Sequence, residues 1–158
     1  MVGAEELVDR WRDFTSSAVA ELKAVRSDAW QRPSAYPGWT AHVLLAHLSS
    51  TVQAIPHLVD AAFSQLRPGP AEPFDEDRWN AGQVRRRRDL AADDLIDEFQ
   101  RGAADLSRAL DERVLRRIDL QRVVPIGAGR GNSLGDVLEE QLDHQRRHLA
   151  DLLESVAP

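Results

Sequence analysis

The chain has 158 residues, enough for one domain with a hydrophobic core. With 20 basic and 26 acidic residues it carries a formal charge of −6, which argues against nucleic acid as a main partner, because phosphate binding draws on a basic surface. There is no cysteine, which excludes a cysteine nucleophile, a disulfide framework and a thiolate metal site. Any zinc-like centre must use His, Asp or Glu.

The first residues, MVGAEELVDR, are acidic and hold no apolar signal core. No apolar run approaches the roughly 20 residues needed to span a membrane. A cytoplasmic location is expected. Lys23 is the single lysine in a composition rich in Ala, Leu, Arg and Asp, the bias of a GC-rich genome such as an actinobacterium's.

The first helix is predicted over residues 4–26, because Leu7, Trp11, Phe14, Ala18, Leu22 and Val25 recur at steps of three or four. Residues 31–39, QRPSAYPGW, carry two prolines and a glycine and read as a loop. Thr40 is the expected N-cap of a second helix that runs to about residue 66. Its apolar stripe is Leu44, Leu48, Val52, Ile55, Val59, Ala62 and Leu66, and Pro56 lies inside it and predicts a kink. A proline-rich linker spans residues 67–74, and a short helix is expected over 76–88.

A third long helix covers 92–113, with Leu95, Phe99, Leu106 and Leu110 inward. The stretch VVPIGAGRGNS is a loop, and its glycines lack the GK[ST] of a phosphate-binding loop. Ser133 and Asp136 resemble a capping box at the start of a last helix over 134–156. Four long helices without a persuasive strand predict an all-α four-helix bundle, with residues 1–158 as one domain.

The chemistry sits in the histidines. His144 and His148 are four apart, so their rings lie about 40° apart and one turn above each other. Two imidazoles so placed can reach one ion at about 2.0–2.1 Å. On the last helix Leu134, Val137, Leu138, Leu142, Leu149, Leu152 and Val156 define the apolar face. Gln145 falls near its centre, His148 and Gln141 beside it, and His144 at its edge. Leu or Ala would stand there in an ordinary bundle, since burying polar groups without partners is costly. The middle of this helix therefore faces a polar cavity or makes a satisfied buried network. On the second helix His42 and His47 flank the stripe on opposite sides, and periodicity does not choose between them. His57 points away.

Three segments together resemble a known superfamily. They are Tyr36-Pro37-Gly38-Trp39-Thr40 followed by Leu44-Leu45-Ala46-His47-Leu48, then Trp79-Asn80-Ala81, then His144-x-x-x-His148-x-x-Asp151. The chain resembles the DinB-like metalloproteins and, within them, the metal-binding domain of mycothiol-dependent maleylpyruvate isomerase. The resemblance implies a DinB-like four-helix bundle, metal ligands at His47, His144 and His148, and often a homodimer. It also shows a departure: an acidic residue usual four positions before the first histidine is here Val43.

The resemblance further implies an open divalent site, zinc first and nickel or iron next. Such an ion lowers the pKa of a bound water or thiol. With no thiol in the chain, a low-molecular-weight thiol, mycothiol, is the expected co-substrate, attacking a small electrophile in a thiol S-transferase type of reaction or a related lyase or isomerase reaction. Because the isomerase carries a further C-terminal domain and this chain ends at Pro158, the isomerase reaction itself is not the first expectation. The alternatives are a metal-hydroxide hydrolase or resistance protein of the same fold, and a non-catalytic bundle that binds a metal or small ligand. Further site residues are Asn80, Gln145 and Asp151 as catalytic candidates, with Asp151 placed to accept a ligand ring N–H. Asn80 and Arg85, the latter at the head of the run Arg85–Arg88, are candidates for cofactor binding. Trp39 reads as a packing anchor.

Overall fold

The computed structural model describes residues 3–63, 75–115 and 133–157. The helices are α1 (Ala4–Lys23), α2 (Ala41–Phe63), α3 (Glu76–Arg87), α4 (Ala92–Ala109) and α5 (Leu134–Val156). A π-helical turn, Leu110–Leu115, prolongs α4. Among the described residues there is no strand, only an isolated bridge between Pro33 and Thr40. None of these helices is long and apolar enough to cross a membrane. The expected all-helical bundle with a short extra helix is what the chain forms. The predicted end of the second helix, the linker 67–74 and residues 123–132 of the glycine-rich loop lie outside the described residues.

α1 stops three residues short of its predicted end. The Ala24 N–H turns back to the Glu21 and Leu22 carbonyls, and Ser27–Ala29 form a 3-10 turn. Val25 still packs against the core. Helix starts follow the predicted chemistry. The Thr40 hydroxyl accepts the Val43 N–H at 3.3 Å, so Thr40 caps α2 although Val43 offers no reciprocal carboxylate. Ser133 accepts the Asp136 N–H at 3.1 Å and Asp136 accepts the Ser133 N–H at 3.4 Å, completing the capping box of α5.

α1 packs against α4 and α5, and α2 packs against the same two helices. α1 and α2 therefore sit diagonally across the bundle. Trp11, Leu22, Leu44, Leu48, Phe99 and Leu138 fill the centre. Each such side chain contributes roughly 1.5–3 kcal/mol by leaving water. The indole of Trp11 also donates to the Leu138 carbonyl at 3.2 Å, which satisfies its one polar atom.

α3 lies on α2 and has no fully buried residue. A polar node helps to hold it. Arg87 donates to Glu98 at 2.8 Å, to the Gln83 side chain at 2.7 Å and to Gln53 at 3.3 Å, joining α3 to α4 and α2. Four successive arginines sweep around a helix, and only Arg87 of the run falls on the side that meets α4. Arg85, Arg86 and Arg88 are exposed.

Candidate metal centre

α2 and α5 lie side by side, and their facing polar residues make the site. His47 comes from the second turn of α2 and is 3% exposed. His144 and His148 come from the middle of α5 and are half-buried. One ligand atom from each of the three lies within 4.8 Å of the others. The Nε2 atoms of His47 and His144 are 3.2 Å apart. Two nitrogens bound to one tetrahedral ion at 2.0–2.1 Å would stand about 3.4 Å apart, so the pair already has ligand spacing. The His148 ring centroid is 4.3 Å from that of His144 and 4.9 Å from that of His47.

Burial keeps these rings neutral. It pushes His47 down to about 4, with repulsion from the other two rings adding to it. His148 is likewise lowered to about 4, by burial first and His144 second. His144 is lowered by burial, opposed by Glu76 and Glu140 and reinforced by Arg147. Neutral imidazole is the form that binds a metal. The Nδ1 atoms of His47 and His148 and the Oε1 of Gln145 are buried without a hydrogen-bond partner among the described residues. Buried polar atoms normally have one. Three uncharged, converging imidazoles therefore fit a divalent ion, with at least one coordination position left over.

The same shifts set a pH dependence. A ring near 6.5 in the unfolded chain and about 4 in the fold stays neutral when folded and takes up a proton on unfolding anywhere between those values. The contribution of these rings to stability is full above pH ~6.5 and is lost as pH falls toward about 4. At pH 5, unfolding of the metal-free protein should take up between one and two protons at these rings, on the order expected for two shifted groups. Urea titrations between pH 7 and 4.5 measure this. His47→Gln should remove about half of the effect, and equal stability at pH 6.5 and 5 would overturn it.

His42 and His47 part company here. His42 Nε2 lies 2.8 Å from the Leu90 carbonyl, on the α4 side, and takes no part in the cluster. His57 is exposed. Gln145 is fully buried, as its place on the apolar face predicts, and donates to the Thr51 hydroxyl, which in turn donates to the His47 carbonyl at 3.0 Å. Asp151 accepts the Tyr36 hydroxyl at 2.6 Å on one carboxylate oxygen, and His148 Nδ1 has no hydrogen-bond partner among the described residues. Asn80 is half-buried on α3, one turn beyond Glu76. Arg85, nine residues past Glu76, points about 180° away from it and is exposed.

The loop 30–40 supplies a wall that the spacing of the histidines did not reveal. Tyr36 packs against His148 at a tilt of 54° with ring centroids 5.1 Å apart, and Trp39 meets His47 at 5.6 Å. Gly38 between them has φ +80°, a conformation that side-chain-bearing residues rarely adopt. The wall covers His47 and His148 and leaves His144 toward the charged side. There, a surface hollow of about 630 Å³ runs along α5, lined by Glu139, Glu140, Asp143, Arg146, Arg147 and Asp136. Glu140 and Arg147 border both the hollow and His144. Helical spacing could have found them, since they stand four before and three after His144.

Residues 11–140 match the family model described as the mycothiol maleylpyruvate isomerase N-terminal domain. The chain belongs to this family. The match ends before His144 and His148, so the place of those two rings in the cluster comes from the geometry. The fold is similar to a crystal structure of the mycothiol-dependent maleylpyruvate isomerase, with 22% identity and a TM-score of 0.78. A histidine-to-alanine mutant of that enzyme gives 21% and 0.76. Each comparison covers 96% of this chain and 61% of the other, so the chain spans about three fifths of the length of these relatives. Among curated proteins, none matches the chain by sequence.

Proposed function

We propose that residues 1–158 form one metal-binding domain, in which His47, His144 and His148 hold a divalent ion, zinc before nickel or iron. In this reading the domain activates an external low-molecular-weight thiol, mycothiol, for attack on a small electrophile, as a thiol S-transferase. The observation that carries the reading is the convergence of three neutral imidazoles in a chain of this family that has no thiol of its own.

Bound there, the ion would supply Lewis acidity that favours the anionic form of a thiol placed beside it. The chain's own residues do the rest. Tyr36 and Trp39 exclude water from the side of His47 and His148. Gln145 and Thr51 brace the backbone under His47. Glu76, Glu140 and Arg147 set the charge at the His144 side. Half-buried Asn80 stands on the α3 face that continues from Glu76. A cytoplasmic setting, where small thiols stay reduced, suits this chemistry.

The test is direct. Elemental analysis of the protein purified without chelator should give about one divalent metal per chain, and turnover of a chromogenic electrophile should rise with added mycothiol. A metal-free native protein would overturn the metal site. Metal-dependent turnover that needs no thiol would replace the transferase with a hydrolase. A tightly bound metal with no turnover under any thiol would replace it with a binding protein.

A further inference from the structure

Metal-bound histidines are normally oriented by a hydrogen bond from their second ring nitrogen. His148 lacks one: its Nδ1 has no partner among the described residues. The acceptor one turn along α5, Asp151, is engaged at 2.6 Å by the Tyr36 hydroxyl. What holds the His148 ring is packing. The rings of His144, His47 and Tyr36 surround it at centroid distances of 4.3, 4.9 and 5.1 Å. Two of these are partners in the same cluster. Among the described residues, Tyr36 is the ring outside the cluster that supports it.

Tyr36 is itself fixed from two sides. Its ring meets Trp39 at 5.9 Å, and its hydroxyl is tied to Asp151. The loop behind it is closed by the Ser34 N–H to the Trp39 carbonyl at 2.8 Å and the Ala41 N–H to the Arg32 carbonyl at 2.9 Å. At its far end Arg32 donates to the Val156 carbonyl at 3.2 Å, at the end of α5. The Tyr36–Asp151 bond is thus the fastening that brings the loop against α5 beside His148.

We propose that Tyr36 and Asp151 are a positioning pair: the bond between them presses the tyrosine ring against His148 and holds that ring in its metal-binding orientation. The inference rests on the metal-site reading above. Neither residue touches the ion. They act through His148, doing by packing what a hydrogen bond to Nδ1 does elsewhere.

Tyr36→Phe keeps the ring and removes the bond. Asp151→Asn keeps an acceptor for the hydroxyl, and Asp151→Ala removes it. Affinity for zinc and for cobalt(II), with the cobalt ligand-field spectrum, reads the outcome. Tyr36→Phe and Asp151→Ala should each weaken binding about 10- to 100-fold, the usual cost of losing support for a ligand. Both should alter the cobalt spectrum, while the double variant loses no more than either single one, because the two act as a unit. Asp151→Asn should stay near the native affinity. The far-UV circular dichroism of the metal-free variants should be unchanged. Native affinity and spectrum in Tyr36→Phe, or additive losses in the double variant, would overturn the pair while leaving the metal site standing. A native protein that binds neither zinc nor cobalt would overturn the site itself. Should Tyr36→Phe fail to fold, the contrast between Asp151→Asn and Asp151→Ala decides.

Discussion

Replacing His148 with alanine should lower zinc affinity by more than 100-fold and leave the helical fold in place. Loss of a residue that merely orients a ligand costs 10- to 100-fold, and loss of a ligand itself removes a metal bond as well. His148 is one of only three ligand atoms that converge among the described residues, so nothing in the cluster replaces it. The fold should survive because the ring is half-buried and the α5 core is carried by Leu138, Leu142, Leu149 and Leu152. His42→Ala is the informative control. It breaks the contact with the Leu90 carbonyl and should cost about 1 kcal/mol of stability, the usual worth of such a bond. It should leave the metal in place. His57→Ala, at an exposed position, should change neither property. Chelator-competition titrations read the affinities. Equal losses in His148→Ala and His42→Ala would sink the assignment.

That contrast also shows where the sequence stopped short. His42 and His47 flank one apolar stripe, and α2 lies between α4 and α5. One flank must therefore face α4 and the other α5. Periodicity fixes the flanks but not which neighbour each one meets. Contact settles it: His42 goes to the α4 side and His47 to α5. By contrast Gln145 was legible in the wheel, because a polar residue at the centre of an apolar face stands out without knowledge of any partner. The helices were legible for the same reason. Their stripes, the proline- and glycine-rich breaks and the Ser133 capping box are all local. Tyr36 and Asp151 stand 115 residues apart and were not, since no periodicity links a loop tyrosine to a helix aspartate. Nor does the run of four arginines say which one reaches Glu98.

Gly102→Val should be the most damaging of the single changes in the scaffold, at about 3 kcal/mol or more. Glycine inside a helix costs about 1 kcal/mol relative to alanine, so a substitution at Gly102 would help if there were room. There is none. A Cβ there would lie 2.9 Å from Gln53 Cγ, 3.0 Å from Val52 Cγ1 and 3.2 Å from the Gln53 backbone nitrogen. The Gln53 side chain cannot swing away freely, because it donates to the Glu98 carbonyl and accepts from Arg87. The backbone nitrogen yields only if α2 moves off α4. Overpacking of this kind costs about 1–3 kcal/mol, which outweighs the helix-propensity gain even for alanine. Valine adds two methyl groups and a stiff side chain. The midpoint of thermal unfolding should drop by about 6–12 °C at this chain length. Gly82 in α3 tests the logic in the opposite direction: an added Cβ meets nothing within 4 Å, so Gly82→Ala should raise stability by up to about 1 kcal/mol. The two glycines differ in consequence as well as sign. Val52 and Gln53 follow His47 by about one and a half turns of the same helix, or roughly 8 Å. A wedge at Gly102 would therefore displace the segment that carries His47, and Gly102→Val should weaken zinc binding even where the protein still folds. Unchanged affinity in a folded Gly102→Val protein would show that the position of His47 is set by its contacts with α5 alone.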